Sequence, residues 1–278
     1  MIHVCIVKAG NIATSTMLDL LLDEMASRED IRITTIGSGP KMTPEETRRL
    51  AAMIPGLDPD LLILCGPNAN APGMRELRQL VSELKCPKII VSDGPTKKIV
   101  PKLQKEGFGY LIMDSDPLIG AKREFLDPTE MAIFNSEVIK ILAAAGCFRV
   151  VQEEIDRAIS SIGEPDPFLP RLIVSKEESI RRAGFSNPYA RAKAAAALDI
   201  AKMVAETDYH ACFVEKQTDV CVQLAASAHE AIRHAAMLAD EAREIEKNLD
   251  TVLRTPHSRS GKILKKTSLM ARPKVEEK

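Results

Sequence analysis

The stretch LLILCGPNANAPG, residues 61–73, points to the fold class, because a wholly apolar segment runs directly into a loop of glycine, proline and asparagine. Leu61–Cys65 has the length and composition of a strand in a parallel sheet covered by helices on both faces. The loop that follows it, residues 66–73, offers amide donors and acceptors but no charge. We therefore predict a buried strand that presents a stiff, neutral loop at one edge of its sheet.

The same alternation of apolar strand and amphipathic helix extends to both sides of this stretch. The predicted strands are 2–7, 31–36, 61–65, 88–92 and 110–114, and the helices between them are 13–25, one opening at Thr43, 74–84 and 96–106. Repeated β-α units predict an α/β, Rossmann-like fold with a mostly parallel sheet and helices on both faces. Ligands of such sheets bind beyond the carboxyl ends of the strands.

The second half of the chain is predicted to be mainly helical. The predicted helices are 128–145, 148–160, 188–206 and 223–247, with a linker at 163–170 and a short strand pair at 211–214 and 220–222. The chain therefore divides into an α/β cofactor-binding domain at 1–127, a helical bundle region with a short β pair at 128–250, and a small, irregular, basic C-terminal segment at 251–278. The alanine stripe of 223–247 suits an intrachain bundle or a subunit interface. The basic segment suits a solvated tail or contact with an anionic ligand or a neighbouring subunit.

Composition excludes several classes of function. A formal net charge of -1 gives no general attraction to nucleic acid or to an anionic membrane, and the absence of tryptophan disfavours a base-stacking platform. No apolar run approaches the ~20 residues of a membrane span, and the N-terminus lacks the features of a signal peptide. Six cysteines without a CxxC pair are expected to be free thiols in a reducing compartment, so we expect a cytoplasmic protein.

Three loops at the carboxyl edge carry the candidate cofactor-binding residues. In the first loop, Thr14 and Ser15 present hydroxyls either to a phosphate at a helix N-terminus or to the helix start itself. No loop has the GxGxxG fingerprint. We assign Gly10, Asn11, Thr14 and Ser15 to the phosphate-bearing part of a cofactor. We assign Gly66, Asn68, Asn70, Asp93 and Gly94 to neutral rings, although a turn alone accounts for an Asp-Gly-Pro sequence.

A dense group of charges follows the fifth predicted strand. Lys122, Arg123, Glu124 and Asp127 lie within six residues of one another, and we assign them to the substrate or its placement. Asp127 precedes Pro128, so it also has the position of a helix N-cap.

Motifs for metal or nucleophile chemistry are missing from the sequence. There is no GxSxG and no P-loop, and His229 and His234 are five residues apart rather than at the HExxH spacing. We expect both histidines at a helix surface or interface. Hydride transfer between two bound organic molecules fits this pattern, because the bound molecules carry the chemistry and the protein orients them.

Five long strings resemble the F420-dependent methylenetetrahydromethanopterin dehydrogenases. They are KAGNIATS (8–15), GPNANAPG (66–73), GAKREFLDPTEMAIFNSEVIKILAAAGCFRVVQ (120–152), FSNPYARAKAAAALDIA (185–201) and ASAHEAIRHAAMLADEAREIEKNLDTVLRTPHSRSGKIL (226–264). The resemblance covers nearly the whole chain. It implies an α/β domain with a helix bundle, a homohexamer built as a trimer of dimers, and a cleft that binds a deazaflavin and a pterin.

The resemblance also implies the reaction. Such an enzyme transfers a hydride reversibly between methylene-tetrahydromethanopterin and coenzyme F420 in one-carbon metabolism and methanogenesis, without a metal and without a catalytic acid or base. One alternative is an NAD(P)-dependent dehydrogenase acting on the same pterin, because Ala9 and Ala13 depart from the family pattern in the first loop. Another is a non-catalytic cofactor-binding protein.

Overall fold

The structure, a computed structural model, describes residues 1–22, 24, 26–117 and 124–275. The chain divides into two compact units, and each is built from several segments. The first, here called the sheet unit, comprises Met1–Met113, Val151–Val174 and Pro256–Ile263. The second, here called the helical unit, comprises Asp114–Val150, Ser175–Thr255 and Leu264–Lys278.

The sheet unit contains a six-stranded sheet in the order β2-β1-β3-β4-β5-β6, and every neighbouring pair is parallel. Its strands are β1 (Ile2–Lys8), β2 (Ile31–Gly37), β3 (Leu61–Cys65), β4 (Lys88–Asp93), β5 (Gly109–Met113) and β6 (Arg171–Val174). The side chains of β3, β4 and β5 are all buried, as expected for strands with helices on both faces. The predicted parallel α/β fold is confirmed.

Short helices connect these strands. They are α1 (Ala13–Leu22), α2 (Pro44–Leu57), α3 (Pro72–Leu80) and α4 (Val100–Lys105), the last preceded by a 3-10 turn at Gly94–Ile99. A further helix, α6 (Cys147–Ser160), precedes β6. Thr43 caps α2 by accepting from the Glu46 amide at 3.4 Å, with Pro44 in the first turn, the capping arrangement that the sequence indicates.

Strand β6 is absent from the sequence prediction, which has only a linker at 163–170 in this region. The strand is four residues long and largely exposed, so it lacks the apolar pattern of the inner strands. It pairs with β5, and Gly109 makes the approach possible, because a Cβ there would lie 3.0 Å from the Pro170 carbonyl oxygen. Its addition brings Val151–Val174 into the sheet unit. Each unit is therefore made of several separate stretches of the chain, whereas the sequence suggested the contiguous segments 1–127, 128–250 and 251–278.

The helical unit is built around a long helical hairpin. Its helices are α5 (Pro128–Ala144), α7 (Lys176–Ala183), α8 (Pro188–Tyr209) and α9 (Thr218–Asn248). Most of the predicted alanine stripe of α9 is buried within this chain, as are the alanines of α8 that face it. The buried alanines are Ala190, Ala194, Ala197 and Ala201 on α8 and Ala225, Ala228, Ala235, Ala236, Ala239 and Ala242 on α9. Small side chains let the two helices approach closely, which supports the intrachain bundle for this stripe.

The predicted strand pair at 211–214 and 220–222 is wrong. Residues His210–Val214 form a π-helical turn that continues α8, and 220–222 lie in α9. The connection is closed by the Glu215 amide, which donates to the His210 carbonyl at 2.9 Å. The β-branched and aromatic residues here are helical because packing between α8 and α9 outweighs their local preference.

The C-terminal segment is not wholly irregular. Strands β7 (Leu264–Lys265) and β8 (Lys274–Val275) form a short antiparallel pair. Across the described part of the chain, no single helix is long and apolar enough to cross a membrane, and α5 and α6 meet the length and composition test only as a bent pair.

Candidate functional site

The loops at the carboxyl edge of the sheet begin side by side. The Ala9 amide donates to the Cys65 carbonyl at 2.9 Å, and the Gly66 amide donates to the Val91 carbonyl at 3.1 Å. These bonds continue the parallel ladder beyond the strands and fix the starts of the β1–α1 and β3–α3 loops against their neighbours.

Gly10 is the point at which three of these loops meet. It has a φ of +89°, a conformation that favours glycine, and its amide donates to the Gly39 carbonyl at 3.1 Å. A Cβ on Gly10 would overlap the Met42 sulfur and would lie 2.9 Å from Pro67 Cδ. The glycine is therefore required by close packing, whatever ligand the loop binds.

The 66–73 loop is compressed in the same way at both of its ends. A Cβ on Gly66 would lie 2.5 Å from the Ala9 carbonyl oxygen, and one on Gly73 would overlap the Met42 carbonyl. Both contacts are with backbone atoms, which move only at a high cost. The loop is stiff, as the sequence predicts.

Two buried hydroxyl groups, at the end of β4 and in the turn after it, form hydrogen bonds with the backbone of the 66–73 loop. Ser92 Oγ donates to the Gly66 carbonyl at 2.6 Å and lies 2.6 Å from Thr96 Oγ1. Thr96 Oγ1 in turn accepts from the Ala69 amide at 2.9 Å. Sequence reasoning missed both hydroxyls as members of the site, although their position at and just after the end of β4 was a usable signal.

Arg78 is a second feature that the sequence reasoning missed. This arginine on α3 is only 1% exposed, its Nε donates to the Ala69 carbonyl at 3.1 Å, and its guanidinium forms an ion pair with Glu106. A buried guanidinium with a carboxylate partner and a carbonyl acceptor is a specific scaffold for the backbone that it holds.

The predicted ring-binding residues lie on this braced edge. Asn68 Oδ1 accepts from the Asn70 amide at 2.9 Å, and the Asn70 carbonyl accepts from Arg75 at 3.3 Å. Both asparagines are half-buried. Asp93 is buried at the end of β4, and Gly94 opens the 3-10 turn beside it. The structure thus brings Gly66, Asn68, Asn70, Asp93 and Gly94 to one edge of the sheet.

The cofactor-binding candidates of the β1–α1 loop differ in their exposure to solvent. Asn11 is exposed, whereas Thr14 and Ser15 are buried in the first turn of α1. Ser15 Oγ donates to the Ile12 carbonyl at 2.7 Å, so this hydroxyl serves the start of the helix. Lys8, at the end of β1, forms an ion pair with Asp19.

The candidates in the helical unit lie around the start of α5. Asp127 and Glu124 are both exposed. Asp127 Oδ1 accepts from the Glu130 amide at 2.8 Å, which confirms that Asp127 is the N-cap of α5. Lys122 and Arg123 lie outside the described residues.

The position of His229 differs from the prediction that both histidines of α9 lie at a helix surface or interface. His234 is exposed as expected, but His229 is 9% exposed and lies against α5 rather than at the surface of the unit. Its ring centroid is 4.3 Å from that of Phe134 and 4.8 Å from that of Phe125. Burial lowers the pKa of His229 to about 4, so its ring is neutral at physiological pH.

The cysteines are free thiols, and four of them, Cys5, Cys65, Cys147 and Cys221, are buried. Burial raises the pKa of Cys5 to about 11 and that of Cys147 to about 12, so neither is a nucleophile at neutral pH. Within the described residues, no group of three or more His, Cys, Asp or Glu side chains is arranged to hold a metal ion.

The fold defines the class of this protein: an α/β protein with a parallel sheet and braced, glycine-rich loops at the carboxyl ends of its strands. Comparison with known proteins gives the family. The profile of the methylene-5,6,7,8-tetrahydromethanopterin dehydrogenase family matches residues 2–274. The chain belongs to this family.

Relatives match along their whole length. The F420-dependent methylenetetrahydromethanopterin dehydrogenase of Archaeoglobus fulgidus is 49% identical over 98% of this chain and 99% of its own. The enzyme of the same name from Methanothermobacter thermautotrophicus is 47% identical over the same shares. A solved structure of an F420-dependent methylene-tetrahydromethanopterin dehydrogenase, in complex with methylene-tetrahydromethanopterin and coenzyme F420, matches with a TM-score of 0.95 and 42% identity. This match covers 99% of this chain and 100% of the other.

Proposed function

We propose that this chain is an oxidoreductase that reversibly transfers a hydride between methylene-tetrahydromethanopterin and coenzyme F420, giving methenyl-tetrahydromethanopterin and reduced F420. The observation that carries the proposal is the TM-score of 0.95, over 99% of the chain, to a dehydrogenase in complex with both ligands. Relatives with the F420-dependent name are 43–49% identical over 98% of the chain.

The sheet unit fits the cofactor. The bound deazaflavin supplies the ring that accepts or returns the hydride. On the protein side, Gly10 and Gly66 let the neighbouring loops pack closely at the edge, and Asn68 and Asn70 place carboxamides beside it. Exposed Asn11 stands at the start of α1, where helix amides favour a phosphate. We assign Gly10, Asn11, Thr14 and Ser15 to the phosphate-bearing part and the 66–73 loop, Asp93 and Gly94 to the rings.

The helical unit supplies the substrate residues in this proposal. We assign Glu124 and Asp127, with Lys122 and Arg123, to the pterin. The cap of α5 uses Oδ1 of Asp127 and fixes the carboxylate in place. A carboxylate held in this way positions a polar substrate group without a further loss of side-chain entropy.

Proton transfer is not assigned to any side chain. The methenyl product is a cation delocalised over two nitrogens, so the carbon that gives up the hydride loses no proton. The protein's contribution is orientation and the exclusion of water from two bound molecules.

The direct test is stopped-flow absorbance of oxidised F420 mixed with the protein and methylene-tetrahydromethanopterin. We expect the visible band of the deazaflavin to disappear in a substrate-dependent phase, and no change at any substrate concentration would overturn the proposal. Reduction of NAD or NADP in its place would assign the nicotinamide alternative. Binding of both ligands without turnover would indicate a non-catalytic cofactor-binding protein.

Two variants test the assignment of residues, and each is the control for the other. Asn11→Ala is expected to raise KM for F420 and to leave KM for the pterin unchanged. Glu124→Gln is expected to do the reverse. Both positions are exposed, and circular dichroism of each variant checks that it folds. Equal effects of either variant on both ligands would contradict the assignment.

We also propose that the chain assembles into a cytoplasmic homohexamer, a trimer of dimers. Large apolar side chains exposed on the helical unit support an assembly. They include Tyr189, Met203, Tyr209, Phe213 and Met237. Light scattering coupled to size-exclusion chromatography is expected to give six times the 30.5 kDa chain mass.

A further inference from the structure

A buried imidazole joins α9 to the beginning of α5. The ring of His229 lies nearly perpendicular to that of Phe125, at 86°, and tilts by 35° against Phe134. Its Nδ1 lies 3.7 Å from Glu130 Oε2. One side chain of α9 therefore contacts the segment before α5 and the first two turns of α5 itself.

The imidazole acts here as an aromatic ring rather than as a cation. Its Nε2 is buried and has no hydrogen-bond partner in the part of the chain that the structure describes. Among the described residues, the carboxylate of Glu130 faces it at a distance longer than a hydrogen bond. Burial lowers the pKa of the ring to about 4, so the contacts with the two phenylalanines are those of neutral rings.

These contacts lie next to Glu124 and Asp127, the described substrate candidates of the helical unit. Phe125 follows Glu124 directly, and Asp127 lies between Phe125 and the first turn of α5. Asp127 is fixed to α5 by the cap, and Phe125 is fixed to α9 by His229. The segment 124–127 is thus held at one end by the cap and at the other by the imidazole.

We infer that His229 is a positioning residue for the substrate: its neutral ring, packed between Phe125 and Phe134, holds Glu124 and Asp127 in the arrangement that binds the pterin. The inference rests on the proposed function, which assigns those two carboxylates to the pterin. It gives a role to the buried histidine, which the reaction does not use for proton transfer.

The test compares His229→Ala, His229→Phe and a matched control, His234→Ala. His234 is exposed on the same helix, and its Nδ1 lies 2.9 Å from the Glu230 carbonyl oxygen. Calorimetric titration with tetrahydromethanopterin gives Kd, and steady-state rates give KM for each ligand. Loss of both ring contacts is expected to raise Kd and KM for the pterin by about tenfold in His229→Ala, with KM for F420 unchanged. Phenylalanine restores the ring, so His229→Phe is expected to return pterin binding close to the wild-type value.

Several outcomes would overturn the inference. They are unchanged pterin binding in His229→Ala, an equal loss of affinity for both ligands, failure of His229→Phe to restore binding, and an equal effect of His234→Ala. Should His229→Ala not fold, Phe125→Leu removes one ring contact at a half-buried position and carries the same expectation. A wild-type protein that does not bind the pterin at all would instead refute the proposed function.

Discussion

Replacing Asp208 with asparagine is expected to remove a large pH-dependent term from the stability of the helical unit. Asp208 is 0% exposed, and neither carboxyl oxygen has a hydrogen-bond partner within the described residues. It continues the buried stripe of α8 after Ala201 and Val204, at a position where an apolar residue is expected. Burial raises the pKa of Asp208 to about 8.

The sign and size of the effect follow from this shift. Below pH 3.8 the carboxyl is protonated in both the folded and the unfolded chain. Between that pH and about 8, the unfolded chain releases the proton and the folded chain keeps it, so the contribution of Asp208 to the free energy of unfolding falls as the pH rises. At about 1.4 kcal/mol per pH unit, the loss between pH 4 and pH 7 is on the order of 4 kcal/mol.

Guanidinium denaturation followed by far-UV circular dichroism measures this term, because the chain has no tryptophan to report unfolding. We expect the stability of Asp208→Asn relative to wild type to increase by about 4 kcal/mol between pH 4 and pH 7. The matched control is Asp199→Asn on the same helix, where the carboxylate is 59% exposed and paired with Lys176; it is expected to retain the wild-type slope. A difference between Asp208→Asn and wild type that does not change with pH would refute the reasoning.

Two further predictions concern the sheet unit. Gly10→Ala is expected to destabilise by about 2 kcal/mol, because a Cβ at φ +89° is strained and overlaps the neighbouring loop; Gly39→Ala, with open space around its Cβ, should lower the melting temperature less. For His257, burial by itself lowers the pKa, but hydrogen bonds to Asp156 at 2.8 Å and Glu24 at 2.7 Å raise it to about 9. The protonated His257 therefore stabilises the folded chain fully below about pH 6.5, and this stabilisation is lost as the pH rises through about 9. Denaturation of His257→Gln should not show this loss of stability with rising pH. A loss in the variant as large as that in the wild type would contradict the prediction.

The inner part of the fold could be predicted because its strands contain continuous apolar runs. The predicted bounds of β3, Leu61–Cys65, agree with the structure. Strand β6 could not be predicted in the same way, because an edge strand with exposed side chains has no such pattern. At 211–214 the local pattern favoured a strand, but packing of α8 against α9 determined the outcome.

The site shows a similar division. Glycines and asparagines after the strands indicated the stiff edge, since their conformational role is local. The braces beneath it were not visible, because Thr96 binds a backbone amide 27 residues away and Arg78 pairs with a carboxylate 28 residues away. No spacing rule connects such positions. Neutral loops alone do not specify which two ligands bind. The identity of the ligands came from the resemblance over the whole chain.

Burial acts on the titratable groups of the helical unit in two opposing directions. It raises the pKa of Asp208 to about 8 and lowers that of His229 to about 4. Between about pH 4 and pH 6.5, Asp208 is therefore protonated in the folded chain and ionised in the unfolded chain. Over the same range, His229 is neutral in the folded chain and protonated in the unfolded chain. The two slopes cancel there, and of these two groups only Asp208 contributes a slope between about pH 6.5 and 8. It follows that Asp208→Asn should uncover the rise in stability with pH that His229 contributes between about pH 4 and 6.5.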